Sequence, residues 1–257
     1  MNNNITLATQ KLCVGYGTRN VLSNINISLS TGNLAVMLGP NGAGKSTLLR
    51  TLSGVQAPLS GHISILGNDI STLNARRLAQ SMSVVYTDRT VNGGLTVAEV
   101  VALGRQPHTG FLGRLSSLDK DIVAKAIEDV GISCLANKYL SDISDGERQK
   151  TMIARAIAQQ TPVIILDEPT SFLDVSARFE ITSLLQRIAD LGTTIILSTH
   201  DTASALDVAS HVIAVTDGTA MAIPRHDASL IATLDGLFPS PNIVFDPNIG
   251  DFVNRLH

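Results

Sequence analysis

Apolar and polar residues alternate from Ile5 to Leu29, and turn residues break the alternation often: Ile5-Thr6-Leu7, Gly15-Tyr16-Gly17, Val21-Leu22, then Ile25-Asn26-Ile27-Ser28-Leu29. A period of two with frequent turns predicts an antiparallel β region. The pattern then changes. Asn33 to Leu38 is a short apolar run of strand length, and Lys45 to Val55 reads as a helix with Gly54 near its end. Gly61 to Asn68 is a strand closed by turn residues, Asn74 to Gln80 a short basic helix, and Met82 to Thr87 a further strand.

From Leu95 to Gln160 the period is helical and strands vanish. Thr96-Val97-Ala98-Glu99 matches a capping box and opens a helix to about Leu103. Gly104 to Leu115, with Pro107 and three glycines, reads as loop. Ser116 to Val130 is helical, with Val123, Ile127 and Val130 on one face and Gly131 closing it. Ser144-Asp145-Gly146-Glu147 is a second capping box, and the helix it opens is expected to bury Met152, Ile153, Ala156 and Ile157. Pro162 ends that pattern. Val163 to Glu168 is near-continuously apolar up to Asp167, as in a strand covered on both faces of a parallel sheet. An amphipathic helix over Val175 to Leu191 stops at Gly192, and Thr193 to Ser198 is another apolar strand. Thr199-His200-Asp201 follows, with Asp201 placed to cap the next helix. His211 to Thr216 and Thr219 to Ile223 flank Asp217-Gly218, a hairpin signal. Pro224 to His257 mixes a helix candidate, Ala228 to Leu237, with Pro-rich irregular chain. The expectation is one α/β domain over residues 1–257, with an N-terminal antiparallel β region, an inserted helical subdomain at about 90–160 and a tail at about 224–257.

Composition narrows the class. A chain of 257 residues can bury a full core. With a formal charge of −3 no basic surface advertises nucleic-acid binding, and no nucleic-acid partner is expected. Cys13 and Cys134 lie far apart without metal-ligand spacing and read as reduced thiols. Met1 to Asn4 has neither a basic nor an apolar run, so no export signal is expected. No apolar stretch approaches the roughly 20 residues of a membrane helix. Any work at a membrane would be that of a peripheral subunit.

The chemistry centres on Gly39-Pro40-Asn41-Gly42-Ala43-Gly44-Lys45-Ser46-Thr47, which fits the phosphate-binding pattern G-x-x-x-x-G-K-[ST] between a strand and a helix. Glycines let backbone N–H groups turn in around a phosphate, and the helix N-terminus adds roughly half a positive charge. Lys45 would reach the β- and γ-phosphates, and the Ser46 hydroxyl would bind Mg²⁺. Tyr16, between two glycines, is either a turn aromatic packed on its neighbours or a platform on which a base stacks.

Other segments stand in a fixed order with this loop: Ser144-Asp145-Gly146-Glu147-Arg148-Gln149, Val163 to Glu168, Ser171-Phe172-Leu173-Asp174, and His200. Taken together, the chain resembles the nucleotide-binding subunit of an ABC transporter over nearly its whole length. The resemblance implies a P-loop ABC-ATPase fold, ATP and Mg²⁺ as ligands, and ATP hydrolysis as the activity. Gly39 to Thr47 resembles the Walker A loop. Ile143 to Glu147 resembles the signature loop, with Ser144 to Glu147 facing the ATP held by a second copy in a head-to-tail dimer. Asp167 would hold Mg²⁺ at the end of the Walker B strand, and Glu168 would be the general base. Ser171 to Asp174 resembles the D-loop, His200 the switch histidine, and Tyr16 the aromatic that stacks on adenine. Two integral-membrane permeases and, indirectly, a substrate-binding protein are the implied partners, at the cytoplasmic face of the membrane.

The chain departs from the family pattern twice. Thr87, followed by Asp88, stands where the family has a glutamine that touches Mg²⁺; threonine keeps an oxygen with less reach, so a water bridge would have to replace direct contact. Asp145 and Glu147 replace Gly and Gln in the signature loop. A carboxylate there repels a phosphate unless it turns away or pairs, with Arg148 as the neighbouring partner. Leu95 to Gly110, with its Ala102-Leu103-Gly104-Arg105-Gln106-Pro107-His108, and Phe245-Asp246-Pro247 resemble importers of ferric siderophores, haem and cobalamin. The expected function is ATP-driven uptake of an iron chelate, with haem or cobalamin as alternatives. A soluble ABC ATPase of DNA repair or translation is the rival of another class, and it would require a coiled-coil insert or a second cassette. A P-loop kinase would lack the Ser144 to Glu147 loop.

Overall fold

The computed structural model describes residues 4–86, 94–110, 113–216, 218–238, 242–247, 249 and 251–254. The chain opens with β1 (Ile5–Tyr16), β2 (Arg19–Ile25) and β3 (Ser28–Ser30), then enters β4 (Leu34–Leu38) and α1 (Lys45–Leu52). β5 (Ser60–Ile65), β6 (Asn68–Asp69), α2 (Ala75–Ser81) and β7 (Met82–Val85) follow. Between β7 and the next strand the described elements are helical: α3 (Val97–Ala102), α4 (Ser117–Asp129) and α5 (Asp145–Ala158), with short 3₁₀ turns. The chain continues through β8 (Val163–Asp167), α6 (Val175–Asp190), β9 (Thr194–Ser198), α7 (Thr202–Val208), β10 (His211–Thr216), β11 (Thr219–Pro224), α8 (Leu230–Leu237), β12 (Ile243–Asp246) and β13 (Asp251–Asn254).

The strands form two main layers. An antiparallel sheet has the order β2-β1-β5-β6, with β3 also on β1. The central sheet has the order β11-β10-β4-β9-β8-β7 and is parallel except for the β10–β11 hairpin. Its middle strands are apolar on both sides, and β4 and β9 are buried at every position. That is why they read as continuous runs rather than alternations. One face of the central sheet shares a core with the antiparallel sheet and α1. The other packs on the helical insert, α6, α7 and α8.

Three features differ from the sequence expectation. The stretch Gly104 to Leu115 is not all loop, because Leu103–His108 forms a 3₁₀ turn that buries Arg105. There Arg105 Nε donates to Asp119 Oδ1 at 2.8 Å, and its Nη1 donates to the carbonyl of Ala158 at 2.7 Å. In α5, Gln149 and Thr151 are buried while Met152 and Ile157 are half-buried, since α3 and α4 both pack against that helix and widen its covered face. The tail contains a hairpin, β12–β13, where irregular chain was expected. Phe252 anchors it edge-to-face on Phe238 and Phe245, with centroids 4.7 and 5.4 Å away.

Candidate nucleotide site

The register of the central sheet assembles the site. Asp167 pairs with Ser198 across β8 and β9, and Met37 pairs with Ser198 across β4 and β9. The loops leaving the C-terminal ends of β4, β8 and β9 therefore lie side by side, the usual place for a ligand in a parallel α/β sheet. They carry the P-loop, Glu168 and His200.

After β4 the chain turns sharply into α1. Gly44 takes the N-cap position at φ 103, and a Cβ there would stand 2.7 Å from the Val21 side chain. Only glycine fits both the left-handed backbone and that approach. Helices α2 to α7 each begin with a side-chain cap, whereas none caps α1. The first amides of α1 are thus left for an anion, and the residue types fit a nucleoside triphosphate. Lys45 Nζ donates to the carbonyls of Gly39 (2.6 Å) and Pro40 (3.0 Å), so the ammonium is already held over the loop. Burial lowers its pKa, and Glu168 and Asp167 work against that. Among the described residues no cluster of three or more His, Cys, Asp or Glu could hold a metal alone. Ser46 and Asp167 line the same cleft and suit Mg²⁺, which usually takes one or two protein oxygens and completes its shell with phosphates and water. Thr87 lies outside the described residues.

An open cleft of about 490 Å³ runs from Tyr16 over the P-loop to Asp167, Glu168 and His200. Tyr16 is half-exposed (52 %) at the end of β1, and its hydroxyl meets Thr47 Oγ1 at 3.3 Å. That contact is the main cause of its lowered pKa. Glu168 sits at φ 52, and its N–H donates to the carbonyl (3.1 Å) and the hydroxyl (3.0 Å) of Ser198. Ser198 Oγ donates in turn to Asp167 Oδ1 at 2.5 Å. Ser198 is buried and was not anticipated from the sequence; its place at the end of an apolar strand, two residues before His200, was the available signal. His200 Nε2 lies 2.8 Å from Glu168 Oε1. Burial pushes the Glu168 carboxyl up; His200 and Lys45 pull it down, and Asp167 adds to the rise. A carboxylate so placed, beside a lysine and a histidine, can accept a proton from water at the mouth of the cleft.

The cleft is not lined by Ser144 to Glu147. That loop opens α5 with a complete capping box: Ser144 Oγ accepts from the Glu147 N–H (3.3 Å), and Glu147 Oε2 accepts from the Ser144 N–H and hydroxyl, each at 2.8 Å. The Ser144 bonds hold the Glu147 carboxyl below its usual range. Asp145 Oδ1 accepts from Arg148 Nη1 at 3.0 Å, and Arg148 Nε donates to the Leu140 carbonyl at 2.9 Å. Both unusual carboxylates of the loop are therefore occupied within their own chain. A Cβ on Gly146 would stand 3.1 Å from the carbonyl of Phe172, so this loop rests on the loop 171–174. Asp174 there caps α6, accepting from the Ala177 N–H at 2.8 Å.

A family model described as ABC transporter matches residues 22–171, which span the P-loop, the Ser144 loop and the Asp167-Glu168 strand end. The chain belongs to the ABC transporter family. A second model, described as an AAA domain, matches residues 136–207. The chain is 44 % identical over 204 residues to an uncharacterised ABC transporter ATP-binding protein of Methanocaldococcus jannaschii, covering 79 % of this chain and 70 % of that protein. It is 36 % identical over 236 residues to the ferric enterobactin transport ATP-binding protein of Escherichia coli K12, covering 90 % and 87 %. A solved structure described as an ABC transporter of the metal-chelate type, in an inward-facing conformation, aligns with a TM-score of 0.79 at 27 % identity, covering 97 % and 95 %. As an ABC ATP-binding subunit the chain binds ATP and is an ATPase. Among its described residues no helix is long and apolar enough to cross a membrane.

Proposed function

We propose that this chain powers import of an iron chelate, a ferric siderophore, from the cytoplasmic face of the membrane. In this reading residues 1–257 form one ABC ATPase domain, with the helical subdomain at about 90–160 and a tail at about 224–257. The observation that carries the catalytic half is the Glu168–His200 pair, 2.8 Å apart, beside the uncapped N-terminus of α1. Similarity to a protein named for ferric enterobactin transport over nine-tenths of the chain supports the cargo class.

The residues then divide the work. The N–H groups of Gly42 to Lys45 and the Lys45 ammonium bind the phosphates, with Gly39 to Thr47 wrapping them and Tyr16 stacking on the base. Ser46 and Asp167 would hold Mg²⁺, which would neutralise phosphate charge. Glu168 takes the proton from the attacking water while His200 orients the carboxylate. Ser144 to Glu147 and Asp174 meet the ATP of a second copy in a head-to-tail dimer. In support, the cleft of one chain lacks that loop. Closure of the dimer would move two permeases docked on the helical subdomain and the Thr87 loop, and an external binding protein would deliver cargo.

Two measurements test this. Co-purification from membranes should bring down a permease, and a deletion strain should lose uptake of ferric siderophore. Loss of haem or cobalamin uptake alone would reassign the cargo. A chain that purifies without a permease and binds DNA or ribosomes would sink the transporter reading.

A further inference from the structure

The loops after β8 and β9 are joined by one side chain. Arg178, on the first turn of α6, donates from Nε to the Leu173 carbonyl at 2.9 Å. Its Nη1 lies 3.9 Å from Asp201 Oδ2. Asp201 directly follows His200. Its other oxygen caps α7 through the Ser204 N–H (3.3 Å), and its own N–H donates to Thr199 Oγ1 at 3.0 Å. The guanidinium thus hydrogen-bonds the loop 171–174 and stands at ion-pair distance, beyond a direct hydrogen bond, from the segment 199–201, whose histidine meets Glu168. Arg178 and Asp201 are both partly exposed, and a pair of that kind adds little to stability. The different task of Arg178 here is positional: one hydrogen bond fixes the guanidinium on the Leu173 carbonyl, and its charge attracts the Asp201 carboxylate.

We propose that Arg178 is a positioning residue for hydrolysis: by tying Leu173 to Asp201 it sets where His200 stands relative to Glu168. The inference rests on the reading of Glu168 and His200 as the pair acting on the attacking water. It also gives the loop 171–174, which carries the Gly146 contact at Phe172, a mechanical link to the reacting carboxylate.

The test is steady-state ATP hydrolysis and thermal melting of the full chain, comparing wild type, Arg178→Ala, Asp201→Asn, the double variant and Glu168→Gln. Asparagine keeps the cap on α7 through Oδ1 and puts an NH₂ donor where Arg178 faced a carboxylate oxygen. Each single variant is expected to lower kcat about tenfold while KM for ATP stays within about twofold. The double variant is expected to be no slower than the slower single one, because both break the same link. A kcat for Arg178→Ala within about twofold of wild type, or losses that multiply in the double variant, would overturn the proposal. If Arg178→Ala does not fold, Asp201→Asn decides alone, and an unchanged kcat there overturns it. Glu168→Gln separates the two levels. Should it hydrolyse at the wild-type rate, the underlying reading falls and this proposal with it. An inactive Glu168→Gln beside an unaffected Arg178→Ala removes Arg178 only.

Discussion

Arg148 reaches back one helical turn and holds the Asp145 carboxylate at 3.0 Å. The pair resolves a conflict written into the sequence, where an acidic residue stands at a helix N-terminus proposed to face a phosphate. Its partner removes much of the repulsion without removing the residue. Arg148→Ala should raise KM for ATP by about three- to tenfold, and Asp145→Gly in the same chain should restore it. Steady-state hydrolysis over an ATP titration measures both. Failure of Asp145→Gly to rescue would mean that Arg148 acts through its bond to the Leu140 carbonyl instead.

Glu168→Gln keeps the size of the side chain and a contact for His200 but cannot accept a proton. Turnover should fall by about 10²–10⁴-fold. ATP-bound dimers should then accumulate, visible as an earlier peak in size-exclusion chromatography with ATP. Phosphate release measures the first effect.

Asp119 is held at a pKa of about 2 by its bonds with Ser116 and by Arg105. Its folded pKa lies below its unfolded one, so its stabilisation is full above the unfolded value and is lost as pH falls toward the folded one. Asp119→Asn should therefore melt several degrees below wild type at neutral pH. The gap should close as pH is lowered from about 5 toward 2. Melting curves across that range decide it; a gap independent of pH would leave packing, not charge, as the cause.

Gly104 lies against α5 so closely that a Cβ would stand 2.3 Å from the Arg155 carbonyl. Gly104→Ala must push the 3₁₀ turn off that helix. Overpacking of this kind costs about 1–3 kcal/mol, or roughly 2–10 °C in a chain of this size. Calorimetry should detect it, and an unchanged melting temperature would show that the turn yields freely.

These residues also mark what was legible beforehand. The capping boxes at Thr96 and Ser144 follow from local spacing, and both are present with their reciprocal bonds. The apolar runs of β4, β8 and β9 announce a two-sided sheet because burial on both faces removes the alternation. The tail hairpin was not legible. It depends on three phenylalanines meeting across residues 238 to 252 and on Asp235 accepting the Phe245 N–H at 2.7 Å, contacts between separate elements with no local signal. The same holds for Gln149 and Thr151, polar residues that α3 and α4 help to cover. At the candidate site, the P-loop motif pointed to Lys45, and the family resemblance pointed to Asp167, Glu168 and His200. The Ser198 bridge between Asp167 and the Glu168 amide required the register of β8 against β9.

The φ of 52 at Glu168 has an evolutionary consequence. A non-glycine residue held there costs on the order of 1–3 kcal/mol, and glycine or asparagine would carry less of that strain. A population of this chain screened only for heat resistance would drift toward those residues at position 168 and lose turnover as it did so. Retention of glutamate at that backbone angle would be the mark of selection for activity acting against stability.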